Sequence, residues 1–474
     1  MPWQHAVGDP RGSDVAVAVG RDKEGRFGLM FRQLDAFAPD ESLLSQLAQT
    51  MLDPSQRADP HPELDNLDIP SGYTFLGQFL DHDITRDTTP LDKAGQDPHA
   101  LTNFRSPCFD LDSVYGGGPQ ARPELYDPHD RDKLLVTGQD DPSVPDDLPR
   151  DGQGSALIGD PRNDENLIVC QVHVGFLKFH NAMVDHVRAH DGGGNAFAKA
   201  RQLAQFHYQW MVVHDFLPRF VGQDVVDELL EERDGQPTKV KLDFYKPRNP
   251  NRPFMPLEHS VAAYRFGHSI IRPGYVLNDQ GGGAFFGDPA SDADLHGGRP
   301  IPANRAIQFA KFFEMPGANP PVNHTRLIDT RLSSGLFHLP VPQVVPPEPA
   351  PPLVSLAERN LLRAKRLGLP AGQDVARGMG FRPLSNNDLG LADARWGGKA
   401  PLWYYVLKEA ELQQGGKRLG QVGARIVAEV FLGLLDADHN SYLHQPGGFE
   451  LVQQPGVIPG RYTIGDLLRF AGAG

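Results

Sequence analysis

Apolar residues recur every three or four positions along much of the chain, which is the spacing of one buried helix face. The pattern runs through residues 40–52, 165–187 and 198–217. It returns in the segments NRAIQFAKFFEM (304–315), SLAERNLLRAKRL (355–367), PLWYYVLKEAELQ (401–413) and GARIVAEVFLGLL (423–435). The alternation of apolar and polar residues that is typical of strands is scarce. The sequence therefore predicts a mainly α fold with little β structure.

Long segments rich in proline, glycine and aspartate separate the predicted helices, notably residues 133–164 and 339–354. The second segment, LPVPQVVPPEPAPPLV, contains too much proline for a helix or a central strand. A chain of 474 residues can form one large domain or several. The proline-rich segment is therefore compatible with a linker between domains or with a surface loop.

Composition excludes some classes of protein. The formal net charge of -14, without a dense run of lysine and arginine, opposes binding to nucleic acid. There is no run of about eighteen apolar residues, and the first twenty residues lack the basic and apolar regions of an export signal. The two cysteines, Cys108 and Cys170, form no CxxC pair and cannot build a disulfide framework. We expect a cytoplasmic protein without a membrane span.

The segment GQFLDHDIT (77–85) has a histidine, His82, between two aspartates. It is compatible with a metal site, with a catalytic base and its orienting groups, or with polar residues on a solvated helix. On a helix each residue turns by about 100°, so Gln78 lies near His82 in angle. Asp81 and Asp83 point to nearly opposite sides. We therefore expect one aspartate to share the surroundings of His82, and the other to face a different part of the chain.

A second segment, SPCFDLDSVYG (106–116), is rich in oxygen donors at alternate positions, which face the same way in an extended loop. These donors are the Ser106 hydroxyl, the Cys108 carbonyl and the carboxylates of Asp110 and Asp112. Ca²⁺ binds about six to eight oxygens of these kinds. Asp83 from the first segment would complete the ligand set. The sequence therefore predicts a calcium site that fixes the helix carrying His82.

These two segments resemble motifs of the peroxidase–cyclooxygenase superfamily, that is, the animal-type haem peroxidases and their bacterial relatives. GQFLDHDIT resembles the distal-histidine helix of that family, and SPCFDLDSVYG resembles its calcium loop. Three further segments match in the family's order, namely DPRNDENLIVCQVHVGFLKFHN with Arg162, YRFGHSII with His268, and ERNLLRAKRLGLP with Asn360. The resemblance covers nearly the whole chain.

The resemblance implies one haem-binding helical domain over residues 26–474, after an N-terminal extension of residues 1–25. Because the haem would be held by residues before and after the proline-rich segment, that segment becomes a surface loop rather than a linker.

The resemblance also implies roles for individual residues toward haem b. His82 would move a proton of hydrogen peroxide, and Arg162 would stabilise charge on the departing oxygen. His268 would ligate the iron, with Asn360 hydrogen-bonded to its other ring nitrogen. Gln78 would hydrogen-bond a distal water or a halide.

Three more residues resemble haem contacts of the family. Asp81 and Glu165 resemble the carboxylates that form ester links to haem, and Arg265 would bind a haem propionate. From the residues alone, Glu165 is also compatible with an acidic residue in a first helical turn, and Arg265 with a simple salt bridge. Asn166 occupies the position at which some relatives have a methionine, so no sulfonium link is expected. Four histidines on apolar helices are interpreted as core or surface side chains, namely His173, His180, His207 and His214.

Three functions are compatible with the family. They are a peroxidase that uses hydrogen peroxide to oxidise small aromatic donors or halides, a fatty-acid dioxygenase of the cyclooxygenase type, and a non-enzymatic adhesion or binding protein. The dioxygenases use a tyrosine three residues before the proximal histidine, where this chain has Arg265. Tyr264 lies four residues before, about 100° away on a helix. Because both the distal and the proximal pair are present, we predict a peroxidase.

Overall fold

Helices account for most of the regular structure, and the strands are short. The structure is a computed structural model that describes residues 25–53, 63–86, 102–138, 141, 144–192, 194–233, 236–249, 252–286, 294–339, 354–452 and 460–473. The prediction of a mainly α fold with little β structure is confirmed. Residues 1–24 of the predicted extension at 1–25, and most of the proline-rich segment at 339–354, lie outside the described residues. The domain boundaries stay a prediction.

The α-helices are α1 (Glu41–Thr50), α2 (Gly72–Ile84), α3 (Asp112–Tyr115), α4 (Leu167–His190), α5 (Ala196–Met211), α6 (Leu217–Val221), α7 (Gln223–Leu229), α8 (Leu356–Arg366), α9 (Gly372–Gly378), α10 (Leu402–Gln414), α11 (Gln421–Ala437) and α12 (Ile464–Phe470). The strands are β1 (Gly25–Gly28), β2 (Asp65–Pro70), β3 (Thr102–Asn103), β4 (Leu230–Arg233), β5 (Gln236–Val240), β6 (Met255–Pro256), β7 (Gly274–Asn278), β8 (Gly281–Ala284) and β9 (His324–Arg326). They form a three-stranded sheet in the order β3-β1-β6 and the pairs β2-β9, β4-β5 and β7-β8.

The helix that carries GQFLDHDIT, α2, begins directly after β2 and is held closely at its first residue. The backbone N–H of Gly72 donates to the Phe312 carbonyl at 2.9 Å. A Cβ at position 72 would lie 2.5 Å from that oxygen and 2.5 Å from the Phe313 ring, so only glycine fits. The strand pair β2-β9 and this contact together fix where α2 enters the core.

The long helix α4 packs against α2 and α5 in the centre of the molecule. On α2, Phe79 stacks on Phe176 of α4 with ring centroids 4.6 Å apart. Within the described residues, α4 alone is long and apolar enough to cross a membrane, but 89% of its most apolar stretch is buried inside the protein. Burial on all sides explains its apolar character, since a helix in the middle of a core has no polar face.

Most of the predicted helices are confirmed, and two differ. Residues 198–217 were expected to form one helix, but a π-helical turn at Val212–Phe216 separates α5 from α6. Residues 304–315 contain only 3₁₀ turns. Their backbone groups bond to neighbouring elements, because the N–H of Gln308 donates to Leu277 of β7 and the carbonyl of Phe312 accepts from α2. A continuous helix would need the N–H of Gln308 for its own hydrogen bonds.

The segment with the predicted iron ligand is a π-helical turn, Glu258–Ala262, followed by a 3₁₀ helix, Ala263–His268. The buried carboxylate of Glu258 accepts hydrogen bonds of 2.9 Å from the backbone N–H groups of Met30 and Phe31. A 3₁₀ helix has three residues per turn, so Arg265 and His268 lie on the same face. We call residues 258–268 the proximal segment.

Candidate active site

A cavity lies where α2, the start of α4 and the proximal segment meet. It contains about 1050 Å³ of empty space, part of it open to solvent. Five polar residues that the sequence singled out line it, namely Gln78, Asp81, Glu165, Arg265 and His268. The rest of the lining is mostly aromatic and aliphatic. A concave, largely apolar site with a few polar groups is the usual form of a cofactor site.

His82 is completely buried and does not line the cavity itself. Its Nδ1 lies 2.7 Å from the side-chain oxygen of Asn163, and its Nε2 lies 3.8 Å from a carboxylate oxygen of Glu165. The amide nitrogen of Gln78 donates to that same oxygen. The side chains of Gln78 and Glu165 therefore stand on the cavity side, next to His82.

The predicted distal arginine, Arg162, is buried and tightly bound. Its Nε and Nη2 donate to the two carboxylate oxygens of Asp160 at 3.0 and 2.8 Å. Nη2 also donates to the backbone carbonyls of His82, at 2.9 Å, and Thr85, at 2.6 Å. These contacts hold the guanidinium beside the end of α2. These hydrogen bonds involve Nε and Nη2, so the other terminal nitrogen, Nη1, can bind a further partner.

Burial and charge set the protonation of this region. The pKa of His82 falls from 6.5 to about 3, first because burial penalises the imidazolium and then because Arg162 is cationic. Burial raises the pKa of Asp81, against the opposing effects of Arg162 and the Thr85 hydroxyl. His82 is therefore neutral at neutral pH, the form in which an imidazole can accept a proton.

The two aspartates of α2 face different surroundings, as the helical angle predicts. Asp81 lines the cavity. Asp83 is buried on the other side, where its carboxylate accepts from the backbone N–H of Leu111 at 3.0 Å, the Ser113 hydroxyl at 3.0 Å and the Tyr208 hydroxyl at 3.2 Å. The pKa of Asp83 rises to about 7, first through burial and then through the nearby carboxylate of Asp110.

The predicted calcium loop does not keep the alternation expected of an extended segment. Leu111 has a left-handed backbone, with φ of 56°, and Asp112 begins the short helix α3. The carboxylate of Asp112 consequently pairs with Arg105 at 3.1 Å. Ser106 donates to Asp110 at 3.4 Å, and Cys108 is partly exposed. Within the described ranges, no group of three or more histidine, cysteine, aspartate or glutamate side chains is arranged to hold a metal ion.

The structure brings the three predicted proximal residues together, with the Asn360 amide turned the opposite way from the predicted acceptor. The side-chain amide of Asn360, on α8, has its nitrogen 2.8 Å from His268 Nδ1, and its oxygen accepts a hydrogen bond from Arg265. A guanidinium has only donors, so this orientation turns the amide nitrogen toward His268. The ring proton of His268 then lies on Nε2. Trp403 donates to the Arg265 carbonyl at 3.1 Å and helps to fix the segment.

Comparison with known families identifies the chain. The family described as animal haem peroxidase matches residues 31–388. The chain belongs to the animal haem peroxidase family. Members of this family generally bind haem, and the predicted resemblance is confirmed.

Two relatives of this animal haem peroxidase family member are longer than it and share little sequence identity with it. It is 28% identical over 197 residues to a peroxidase-like protein of Margaritifera margaritifera, covering 39% of this chain and 24% of that protein. It is 23% identical over 320 residues to the chorion peroxidase of Aedes aegypti, covering 65% of this chain and 37% of that protein. The chain thus spans only 24% and 37% of the length of these two relatives.

Solved structures show the same fold at low identity. Peroxidase A from Dictyostelium discoideum is 17% identical, with a TM-score of 0.59 and coverage of 88% of this chain and 87% of that chain. A fatty acid alpha-dioxygenase from Oryza sativa is 16% identical, with a TM-score of 0.57 and coverage of 86% and 76%. At these identities the likeness establishes the fold alone.

The residues that line the cavity of this family member can hold a haem, since a histidine, an arginine and two carboxylates surround one largely apolar space. Position 267, next to His268, is a glycine, and a Cβ there would meet no atom within 4 Å. One rearrangement is required. An iron ligand at Nε2 carries its ring proton on Nδ1, so Asn360 must present its oxygen to His268, and Arg265 must release that oxygen. Arg265 lines the cavity, where a carboxylate of a bound group can replace the Asn360 oxygen as the acceptor of its hydrogen bond.

Sequence reasoning missed the residues that hold the site from behind. Asp160, two positions before Arg162, caps the 3₁₀ helix Pro161–Asp164 and also pairs with Arg105 at 2.7 Å. Asn163 contacts His82. The sequence contains a local signal for Asp160, because an aspartate followed by a proline is typical of the start of a helical turn. Nothing in the sequence alone indicated that Asn163 faces another segment.

Proposed function

We propose that this protein is a haem peroxidase that reduces hydrogen peroxide and oxidises small aromatic donors or halides. The observation that carries the proposal is the meeting of Gln78, Asp81 and Glu165 with Arg265 and His268 around one cavity, in a chain that matches the family over residues 31–388. When bound, haem supplies the iron at which peroxide is reduced and donors are oxidised. The protein's own contribution is to bind, orient and move protons.

His82 is proposed to move the proton of peroxide. A neutral imidazole accepts a proton from one peroxide oxygen at Nε2 and returns it to the other oxygen as that oxygen departs. Its burial keeps the imidazole neutral in the resting protein. Arg162 supports the step because its fixed cation stabilises the negative charge on the departing oxygen. Asp160 holds that cation in place.

Access to His82 depends on Gln78 and Glu165, which line the cavity beside it. If Glu165 moves toward a bound haem, its oxygen leaves its position 3.8 Å from His82 Nε2. Peroxide can then occupy that place. Gln78 stays fixed by Asn166, which donates to its side-chain oxygen at 2.9 Å, and is suited to orient a water or a halide there.

Ester links to haem through Asp81 and Glu165 are the first testable consequence. Both carboxylates line the cavity, and Asn166 cannot form a sulfonium link because it has no sulfur. After treatment with peroxide, most of the haem is expected to resist acid–acetone extraction. The isosteric variants Asp81→Asn and Glu165→Gln should each lose one link, seen by mass spectrometry of haem peptides. Complete extraction of haem from peroxide-treated wild type would exclude the tether.

Calcium is proposed at the loop that contains Ser106, Cys108, Asp110 and Asp112, together with Asp83. Support comes from the family and from the two nearby carboxylates of Asp83 and Asp110, whose mutual repulsion a divalent cation would relieve. To bind calcium, the Asp83 carboxylate must give up its hydrogen bonds to the protein and contact the cation instead. Asp112 must also leave its ion pair with Arg105.

Metal analysis tests the calcium site. Purified protein should contain about one equivalent of calcium per chain, as expected for a single site of this kind. Asp83→Asn should lose it, whereas Asp185→Asn, at an exposed carboxylate, should retain it. Calcium content that is zero in wild type, or equal in both variants, would rule out this site.

A fatty-acid dioxygenase is the second candidate, because solved structures of that class share the fold and Tyr264 lines the cavity. The Tyr264 hydroxyl, however, donates to the Gly77 carbonyl at 3.0 Å, and Arg265 occupies the position three residues before His268. The deciding experiment compares two reactions of the haem-loaded protein. One is the peroxide-dependent oxidation of an aromatic donor or bromide, and the other is oxygen uptake with palmitic acid. Oxygen uptake that is lost in Tyr264→Phe, without peroxidase turnover, would replace the peroxidase proposal.

A further inference from the structure

A buried chain of two hydrogen bonds lies behind His82 and connects three elements. Asn163, in the 3₁₀ helix before α4, has its side-chain oxygen 2.7 Å from His82 Nδ1 on α2. Its side-chain nitrogen lies 2.9 Å from Nδ1 of His173 on α4. All three residues are completely buried. From the sequence, His173 is interpreted as a core or surface histidine, and Asn163 has no predicted role.

The Asn163 amide determines which ring donates and which ring accepts in these two hydrogen bonds. An amide oxygen only accepts and an amide nitrogen only donates, so the orientation of Asn163 fixes where each ring keeps its proton. With the oxygen toward His82, that ring donates from Nδ1 and keeps its lone pair on Nε2. With the nitrogen toward His173, that ring accepts at Nδ1 and keeps its proton on Nε2. If the amide were turned around, His82 would carry its proton on Nε2 and could not accept another there.

The observed orientation also suits both states of His82 during proton transfer. A neutral His82 and a protonated His82 both have a proton on Nδ1, so the hydrogen bond to the Asn163 oxygen persists when Nε2 gains a proton. The amide need not turn during the reaction. Packing holds the rings as well, because Phe79, one turn before His82, contacts the His173 ring edge-on with centroids 5.9 Å apart.

We propose that Asn163, which lies between His82 and His173, is a positioning residue that keeps the resting proton of His82 on Nδ1 and thereby reserves Nε2 for the proton of peroxide. This inference rests on the proposed peroxidase function of His82. Asn163 touches neither peroxide nor haem in this role. Its effect passes through the tautomer of His82, in the way that an oriented partner sets the tautomer of a catalytic histidine in other enzymes.

Two substitutions of similar size separate hydrogen bonding from packing. Asn163→Asp keeps an acceptor oxygen toward His82, whereas Asn163→Leu keeps neither acceptor nor donor. Three rates are measured on the haem-loaded proteins, namely the reaction with peroxide, the association of cyanide with ferric iron and the association of carbon monoxide with ferrous iron. Hydrogen cyanide, like peroxide, gives up a proton when it binds, whereas carbon monoxide carries none. Carbon monoxide thus reports access and packing alone.

Asn163→Leu is expected to slow the reaction with peroxide and the association of cyanide by about 100-fold, the lower range for loss of a general base. Carbon monoxide should bind at the wild-type rate. Asn163→Asp should stay within about tenfold of wild type for peroxide and cyanide, since the tautomer of His82 is preserved. His173→Phe should cause part of the loss, and adding it to Asn163→Leu should cause no further loss, because the two residues act in one chain.

The inference is overturned if Asn163→Leu reacts with cyanide at the wild-type rate, or if carbon monoxide slows in parallel with it. Additive effects of Asn163→Leu and His173→Phe would exclude the role of His173. The cyanide experiment separates this inference from the proposed function. A wild type that binds cyanide rapidly but does not turn over peroxide would refute the peroxidase, while the cyanide rate of Asn163→Leu would still decide the positioning role.

Discussion

Replacing His268 with glycine is expected to remove stable haem binding and to lower peroxidase turnover at least about 100-fold, since loss of even a residue that only hydrogen-bonds to a metal ligand costs about 10- to 100-fold. His268 lines the cavity and has the Asn360 amide at its Nδ1, where the amide oxygen would orient it as an iron ligand once the amide turns. The measurement is the haem absorption spectrum and the haem content of protein produced with little peroxide. Under that condition ester links to Asp81 or Glu165 are not expected to retain the haem.

Chemical rescue sharpens this experiment. The glycine variant leaves a space of the size of an imidazole next to Gly267, where the structure is open. Added imidazole should restore the haem spectrum and part of the turnover. His129→Gly, at an exposed histidine, is the matched control and should resemble wild type. A His268→Gly protein that keeps the wild-type spectrum and rate without imidazole would show that another residue binds the iron.

Replacing His82 with alanine is expected to slow the reaction with peroxide by about 10²- to 10⁴-fold, the typical contribution of one general acid–base group. Haem binding should persist, because His82 is separated from the cavity by Gln78 and Glu165. The measurement is rapid mixing of the haem-loaded protein with peroxide, followed by mixing with an aromatic donor.

The second mixing step is an internal control for His82→Ala. Donor oxidation after peroxide has been consumed needs no proton acceptor at position 82, so its rate should change much less than the peroxide step. Arg162→Lys is an informative companion, because lysine keeps the charge but cannot bind Asp160 through two nitrogens as the guanidinium does. If His82→Ala reacts with peroxide as fast as wild type, the distal assignment is wrong.

The contrast between Asp81 and Asp83 illustrates what a local pattern can predict. Their separation follows from the turn of a helix alone, and the structure has one in the cavity and the other buried against the 111–113 loop. The calcium loop illustrates the reverse. Alternation predicts a common direction for positions 106, 108, 110 and 112, but the left-handed Leu111 and the start of α3 turn Asp112 toward Arg105.

The sequence by itself determined the mainly α class and most helix positions, because helical periodicity depends on neighbours within one or two turns, and its family motifs singled out five polar residues that line the cavity. Only the tertiary structure decided which distant groups meet. Asn163 bridges His82 and His173, Asp160 binds Arg162 and Arg105, and the proximal segment forms π and 3₁₀ turns. These depend on contacts between segments far apart in the chain, where buried polar groups must find partners that no local pattern specifies.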